Sequence, residues 1–226
     1  MDNLKKNAGR RRFLSGMGVV ATGATLAASA NAADNQSSNF KPERHAPDAW
    51  LDVPSKHRAY VDSATANGGI TALNYANNIL FAHAEDYDGL ESDYSLIVCF
   101  RHQSTPLGYN DAMWAKYGES FAQTLNLKDP QTGEIFKSNP VNQARRDMAN
   151  RGNTIDSMVA RGVRFAICNK ATRAFAGRLA SLTGSSVEEV FQELKANNIP
   201  NSRFVAAGVI ATTRSQEYGY SLLYAG

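Results

Sequence analysis

The sequence predicts a three-layer α/β/α sandwich built on a mostly parallel sheet of about five strands. Three observations carry that expectation. Apolar runs of strand length recur along the chain, stretches of helical periodicity separate them, and Gly, Asn or Pro mark the joints.

The elements follow in order. His57 to Ser63 reads as a first strand ending in a turn through Asn67, Gly68 and Gly69. Ile70, Leu73, Ala76, Leu80 and Ala84 then recur at spacings of three or four, which is one face of a helix. Tyr94 to Phe100 is a continuous apolar run, as expected of a parallel strand covered on both faces. Residues 103–150 are weakly patterned and read as a long loop or insertion. Within them a short helix is expected at Asp111 to Tyr117, and turn chemistry from Lys128 to Glu134 and at Asn139-Pro140. A helix near 153–161 leads through Gly162 to a third strand, Val163 to Cys168. Ala171, Phe175, Leu179 and Leu182 form the next helical stripe, which stops at Gly184. Ser186 and Glu189 make a capping-box pattern that opens another helix. A strand at Arg203 to Ala207, a helix at Val209 to Tyr218 and a strand at Tyr220 to Tyr224 complete the alternation.

Ahead of this domain, residues 1–32 read as a twin-arginine export signal. Lys5 and Lys6 precede Arg10-Arg11-Arg12-Phe13-Leu14, an uncharged stretch runs from Ser15 to Ala30, and Ala30-Asn31-Ala32 is a small-residue cleavage site. The stretch is too short and too polar to favour a lasting membrane span. The expectation is a periplasmic protein, exported folded. Residues 33–55, polar and interrupted by Pro42, Pro47 and Pro54, read as a flexible tether ahead of a domain at 56–226.

Charge then says little about partners. The signal holds five of the 24 basic residues and one of the 21 acidic ones, so the remainder is close to neutral. Nothing in it asks for nucleic acid. The two cysteines, Cys99 and Cys168, allow at most one disulfide. No paired-cysteine or paired-histidine spacing suggests a metal, and no motif specifies a cofactor.

In sheets of this kind ligands collect at the carboxyl ends of the strands, and three segments lie there. Gly68 and Gly69 free backbone N–H groups ahead of a helix, as anion sites require, or simply form a tight turn. Cys168, followed by Asn169 and Lys170, ends a strand at a helix N-terminus. Dipole and lysine favour negative charge there, although a cysteine is as often an inert core residue. Arg101 and His102, with Asn110, Asp111 and Trp114 beyond them, offer groups to bind an anion or move a proton, or a surface arginine beside a structural histidine. Cys99 lies inside its strand and is expected to pack.

Gly162 through Asn169, Phe204 through Val209 and Gln216 through Tyr220 together resemble the DsrE/DsrF-like family. The shared pattern is a strand ending in Cys-Asn, helices, a short strand near Gly-Val, and a terminal Gln-x-x-Gly-Tyr. The segment from Arg101 to Trp114 is similar to an exported branch of that family. The resemblance implies a homo-trimer or homo-hexamer and a sulfur-relay function. A persulfide would be carried on Cys168, with Arg101 and His102 stabilising the thiolate or a bound sulfur anion and a periplasmic sulfur-metabolism protein as partner. The alternative is a non-catalytic module that binds a small ligand through the Arg101–Trp114 loop.

Overall fold

A strand that is apolar at successive positions must be covered on both faces, and the chain arranges this with a single parallel sheet. The computed structural model describes residues 40–226, of which Pro42–Gly226 form one compact unit. Residues 1–32, read above as an export signal, and the start of the expected tether lie outside the described residues.

The strands are β1 (His57–Ser63), β2 (Tyr94–Phe100), β3 (Arg164–Cys168), β4 (Ser202–Val205) and β5 (Ser221–Ala225), in the spatial order β4-β3-β2-β1-β5. Every pairing is parallel. Six α-helices connect and cover them: α1 (Ala66–Asp86), α2 (Asp111–Leu125), α3 (Ile155–Ala160), α4 (Asn169–Thr183), α5 (Val187–Ala196) and α6 (Gly208–Glu217). The result is the expected three-layer α/β/α sandwich.

The two outer layers differ in thickness. Val61, Val98, Phe100, Phe165 and Ile167 face a large apolar core filled by α1 to α5. The opposite face presents Tyr60, Ile97, Cys99 and Ala166 to a smaller core containing Leu51, Ala211 of α6, Tyr218 and Tyr220. Leu51 ends a 3₁₀ helix over Ala46–Leu51 that the sequence reading assigned to the tether. It is held there because Tyr220 Oη donates to Leu51 O (3.0 Å) and the Arg164 guanidinium donates to Trp50 O. The compact unit therefore includes residues 42–55, ahead of the expected boundary at 56.

The stretch 103–150 is also more structured than its pattern suggests. A 3₁₀ helix spans His102–Gly108, and α2 continues to Leu125 instead of stopping at Tyr117. Gly118 is no stop signal: a Cβ there would lie 2.5 Å from Phe136 O, so the glycine admits the returning chain. Asn139 then ties that chain down, its Nδ2 donating to Leu107 O and Tyr109 O at 2.8 Å each. Phe136, Val141 and Met148 enter the main core. Irregular backbone pinned by side-chain amides carries no period, which is why the sequence pattern misses it.

Gly68 and Gly69 lie in the first turn of α1, not in a loop before it. Thr65 caps that helix, its Oγ1 accepting from Gly68 N at 2.8 Å. A Cβ on Gly68 would sit 2.3 Å from Ala225 O, and one on Gly69 would sit 2.5 Å from Leu107 Cδ1. Both glycines let α1 close on β5 and on the segment after β2. Gly177, inside α4, has nothing within 4 Å of its Cβ position. Gly68→Ala should therefore destabilise the protein by about 1–3 kcal/mol through overpacking, whereas Gly177→Ala should stabilise it by about 0.5–1 kcal/mol through helix propensity. Urea unfolding of the two variants checks this, and a neutral Gly68→Ala would refute the close-approach role.

Candidate functional site

Strands β2, β3 and β4 deliver their carboxyl ends to one side of the sheet, and an open hollow of about 740 Å³ lies beside them. Arg101 and His102 enter it from the end of β2, Cys168 from the end of β3, Lys170 from the first turn of α4, and Ala207, Gly208 and Val209 from the start of α6. Arg178, two turns further along α4, closes the far side with Thr124 of α2.

Arg101 is the anchored member. Its Nε donates to Asp62 Oδ1 and its Nη2 to Asp62 Oδ2, both at 2.8 Å. Asp62 projects from β1 and its side chain is 4% exposed. A bidentate pair to a buried carboxylate is geometrically fixed, and these bonds raise the Arg101 pKa further. The backbone beneath is fixed as well: Arg101 N donates to Ser104 Oγ (2.8 Å), which itself donates to Ser63 O (2.9 Å). His102 follows with φ of 49°, the left-handed region that a non-glycine residue seldom occupies. Gly208 completes the fit, since a Cβ there would lie 2.5 Å from Arg101 Cβ.

Cys168 is the N-cap of α4, its Sγ accepting from Ala171 N at 3.4 Å. It is 5% exposed and forms part of the hollow's wall. Thr172 Oγ1 donates to Cys168 O (2.9 Å) and accepts from Tyr109 Oη (3.0 Å), so the strand-to-helix junction is held from the core side. Cys99 stands two steps deeper, opposite Ala166, and is fully buried. Burial pushes its thiol pKa far above the ordinary range.

The electrostatic character of the hollow is one-sided. Lys170 and Arg178 bring positive charge, the Arg101 guanidinium is already paired with Asp62, and no carboxylate forms part of the wall. The N-termini of α4 and α6 both open onto it, and neither helix has an acidic residue in its first turn. The arrangement can hold an anion next to a thiol. Among the described residues no group of three or more His, Cys, Asp or Glu is placed to hold a metal ion.

The structure thus brings together Arg101, His102, Cys168 and Lys170, four of the residues singled out in the sequence. The others lie elsewhere. Trp114 is fully buried, its Nε1 donating to Pro106 O at 3.0 Å. Asn110 caps α2, and Asp111 Oδ1 accepts from Asn139 N at 2.8 Å. These two border a separate hollow of about 310 Å³. Asn169 starts α4 outside the main hollow, with its Oδ1 buried and unpartnered. Gly68 and Gly69 serve packing. The Arg101–Trp114 segment is therefore not one binding loop, because its middle residues, Ser104 to Tyr109, are buried. Sequence reasoning missed Asp62, although a carboxylate inside an apolar strand was the signal. It also missed Arg178, which follows Lys170 and Ala174 at helical spacing of four.

The fold and the site define an α/β protein with a cationic, thiol-bearing hollow at the carboxyl edge of its sheet. Comparison with family models, curated proteins and solved structures returns no match.

Removing Arg101 alone leaves a buried, unpaired carboxylate. Arg101→Met should cost roughly 3–5 kcal/mol of stability, and Arg101→Met with Asp62→Leu should regain most of it. Denaturant unfolding of the single and double variants tests this, and simple additivity would show the pair to be uncoupled.

Proposed function

We propose that the protein is a thiol-based sulfur carrier or sulfur-transfer accessory that holds sulfane sulfur on Cys168. The observation that supports this best is that Cys168, Arg101, Lys170 and two helix N-termini line one hollow, which a sulfur anion can enter. The resemblance of residues 162–220 to the DsrE/DsrF-like family points the same way, since that family's sulfur-accepting cysteine follows the third strand. Arg101, fixed by Asp62, offers the N–H donors that this pair leaves unused without having to be ordered when an anion arrives. Lys170, exposed and without a carboxylate partner among the described residues, supplies a mobile charge.

A second reading rests on the slight exposure of Cys168 and on its Sγ serving as a helix cap. In that reading the hollow binds a small anion and the cysteine only packs. Accessibility decides between them. Inorganic polysulfide should add sulfur to the native full-length chain, visible by intact mass. Cys168→Ser should abolish the adduct and Cys99→Ser should leave it. If Cys168 reacts only after denaturation, the carrier reading fails and the binding module replaces it.

We also propose that residues 1–32 direct export by the twin-arginine route to the periplasm. Arg10→Lys with Arg11→Lys should trap the precursor in the cytoplasm, and normal periplasmic levels of that variant would rule the route out.

A further inference from the structure

The hollow is far larger than an inorganic sulfur anion requires, and its charges are spread along it. Lys170 and Arg178 lie eight residues apart on α4, roughly 12 Å of helix rise. The wall between them is apolar, with Ala171, Ala174 and Phe175 on the α4 side. Across from it, Val209 is 52% exposed at the start of α6. Arg178 is held toward the hollow by Thr124, whose Oγ1 accepts from its Nη1 at 2.8 Å, and it has no carboxylate partner among the described residues. A volume of about 740 Å³ falls among sites for organic molecules. An anion of a few atoms beside Cys168 could not reach Arg178.

We propose that the hollow recognises an elongated low-molecular-weight organic persulfide whose carboxylate binds Arg178 while its sulfane sulfur lies at Cys168. This rests on the reading of Cys168 as sulfur acceptor. The transfer balances without an outside oxidant or reductant. The Cys168 thiol gives its proton to solvent. Its thiolate attacks the outer sulfur of R–S–SH, a bond forms between Sγ and that sulfur, and the S–S bond that joined it to the inner sulfur breaks. The outer sulfur keeps its proton, and the R–S⁻ thiolate leaves with the bonding pair. Lys170 and the two helix N-termini sit where negative charge passes from one sulfur to another, and Arg178 holds the end of R that does not react.

Two donors and one unreactive probe test this on the full-length chain. Glutathione persulfide stands for the organic class, inorganic polysulfide for the small one, and S-methylglutathione binds without transferring sulfur. Arg178 is exposed, and an exposed charge pair contributes modestly. Arg178→Gln should therefore slow sulfur addition from glutathione persulfide about threefold and leave the polysulfide rate unchanged. It should weaken S-methylglutathione binding, measured by calorimetry, by a similar factor. Arg173→Gln removes the same charge from α4 outside the hollow and should change none of these. If Arg178→Gln slows both donors equally, or neither, and S-methylglutathione binding ignores it, recognition of an organic donor is overturned. If S-methylglutathione binds with the expected dependence while Cys168 takes sulfur from no donor, organic-anion recognition stands and the sulfur-carrier reading fails.

Discussion

Asp62 lies near the carboxyl end of a strand that is covered on both faces, and a carboxylate in that position must be paired. The pairing fixes more than one residue. Arg101 has to reach back over β1, so the chain leaving β2 turns sharply, and His102 takes up a left-handed backbone conformation. The Ser63–Ser104 hydrogen bonds satisfy the backbone at that turn. The stem of Arg101 then occupies the space that a side chain at position 208 would need, so α6 starts with a glycine. A single buried charge thus sets the direction of one loop, the approach of one helix and the cationic wall of the hollow.

The layers of the sandwich were readable because they rest on periodicity. Ile70, Leu73, Ala76 and Leu80 sit in the core as their spacing requires, and Ser186 with Glu189 forms the capping box that their separation suggests. Cys168 and Lys170 could be placed beside the sheet edge because a strand followed at once by a helix leaves its junction there. What was not readable depended on pairings between distant positions. Asn139 reaches back to Leu107 and Tyr109, Gly118 admits Phe136, and Gly68 admits Ala225. A glycine that accommodates a neighbouring backbone looks in sequence like a glycine that makes a turn. For the same reason Gly68 and Gly69 resembled an anion-binding loop. Trp114 looked available in a segment without pattern, yet its indole is enclosed by core residues.

The unequal thickness of the two helical layers also bears on the site. Five helices press on one face of the sheet, so the Thr172 and Tyr109 contacts behind Cys168 lie on the side of the larger core. The other face relies on α6 and the 3₁₀ turn at Ala46–Leu51. The hollow therefore has one wall in α4, backed by the larger core, and another in α6, backed by the smaller, where Val209 and Ile210 are exposed.

Cys99 and Cys168 lie on adjacent strands, only two register steps apart, yet they meet different surroundings. One lies within the sheet and the other at its rim. A thiol reagent can reach Cys99 only when the layer formed by α6 and the 3₁₀ helix over Ala46–Leu51 lifts from the sheet, so its rate of modification under native conditions counts openings of that layer. The protein carries an internal clock for the opening of its thinner layer, built into the strand that also presents Arg101 to the hollow.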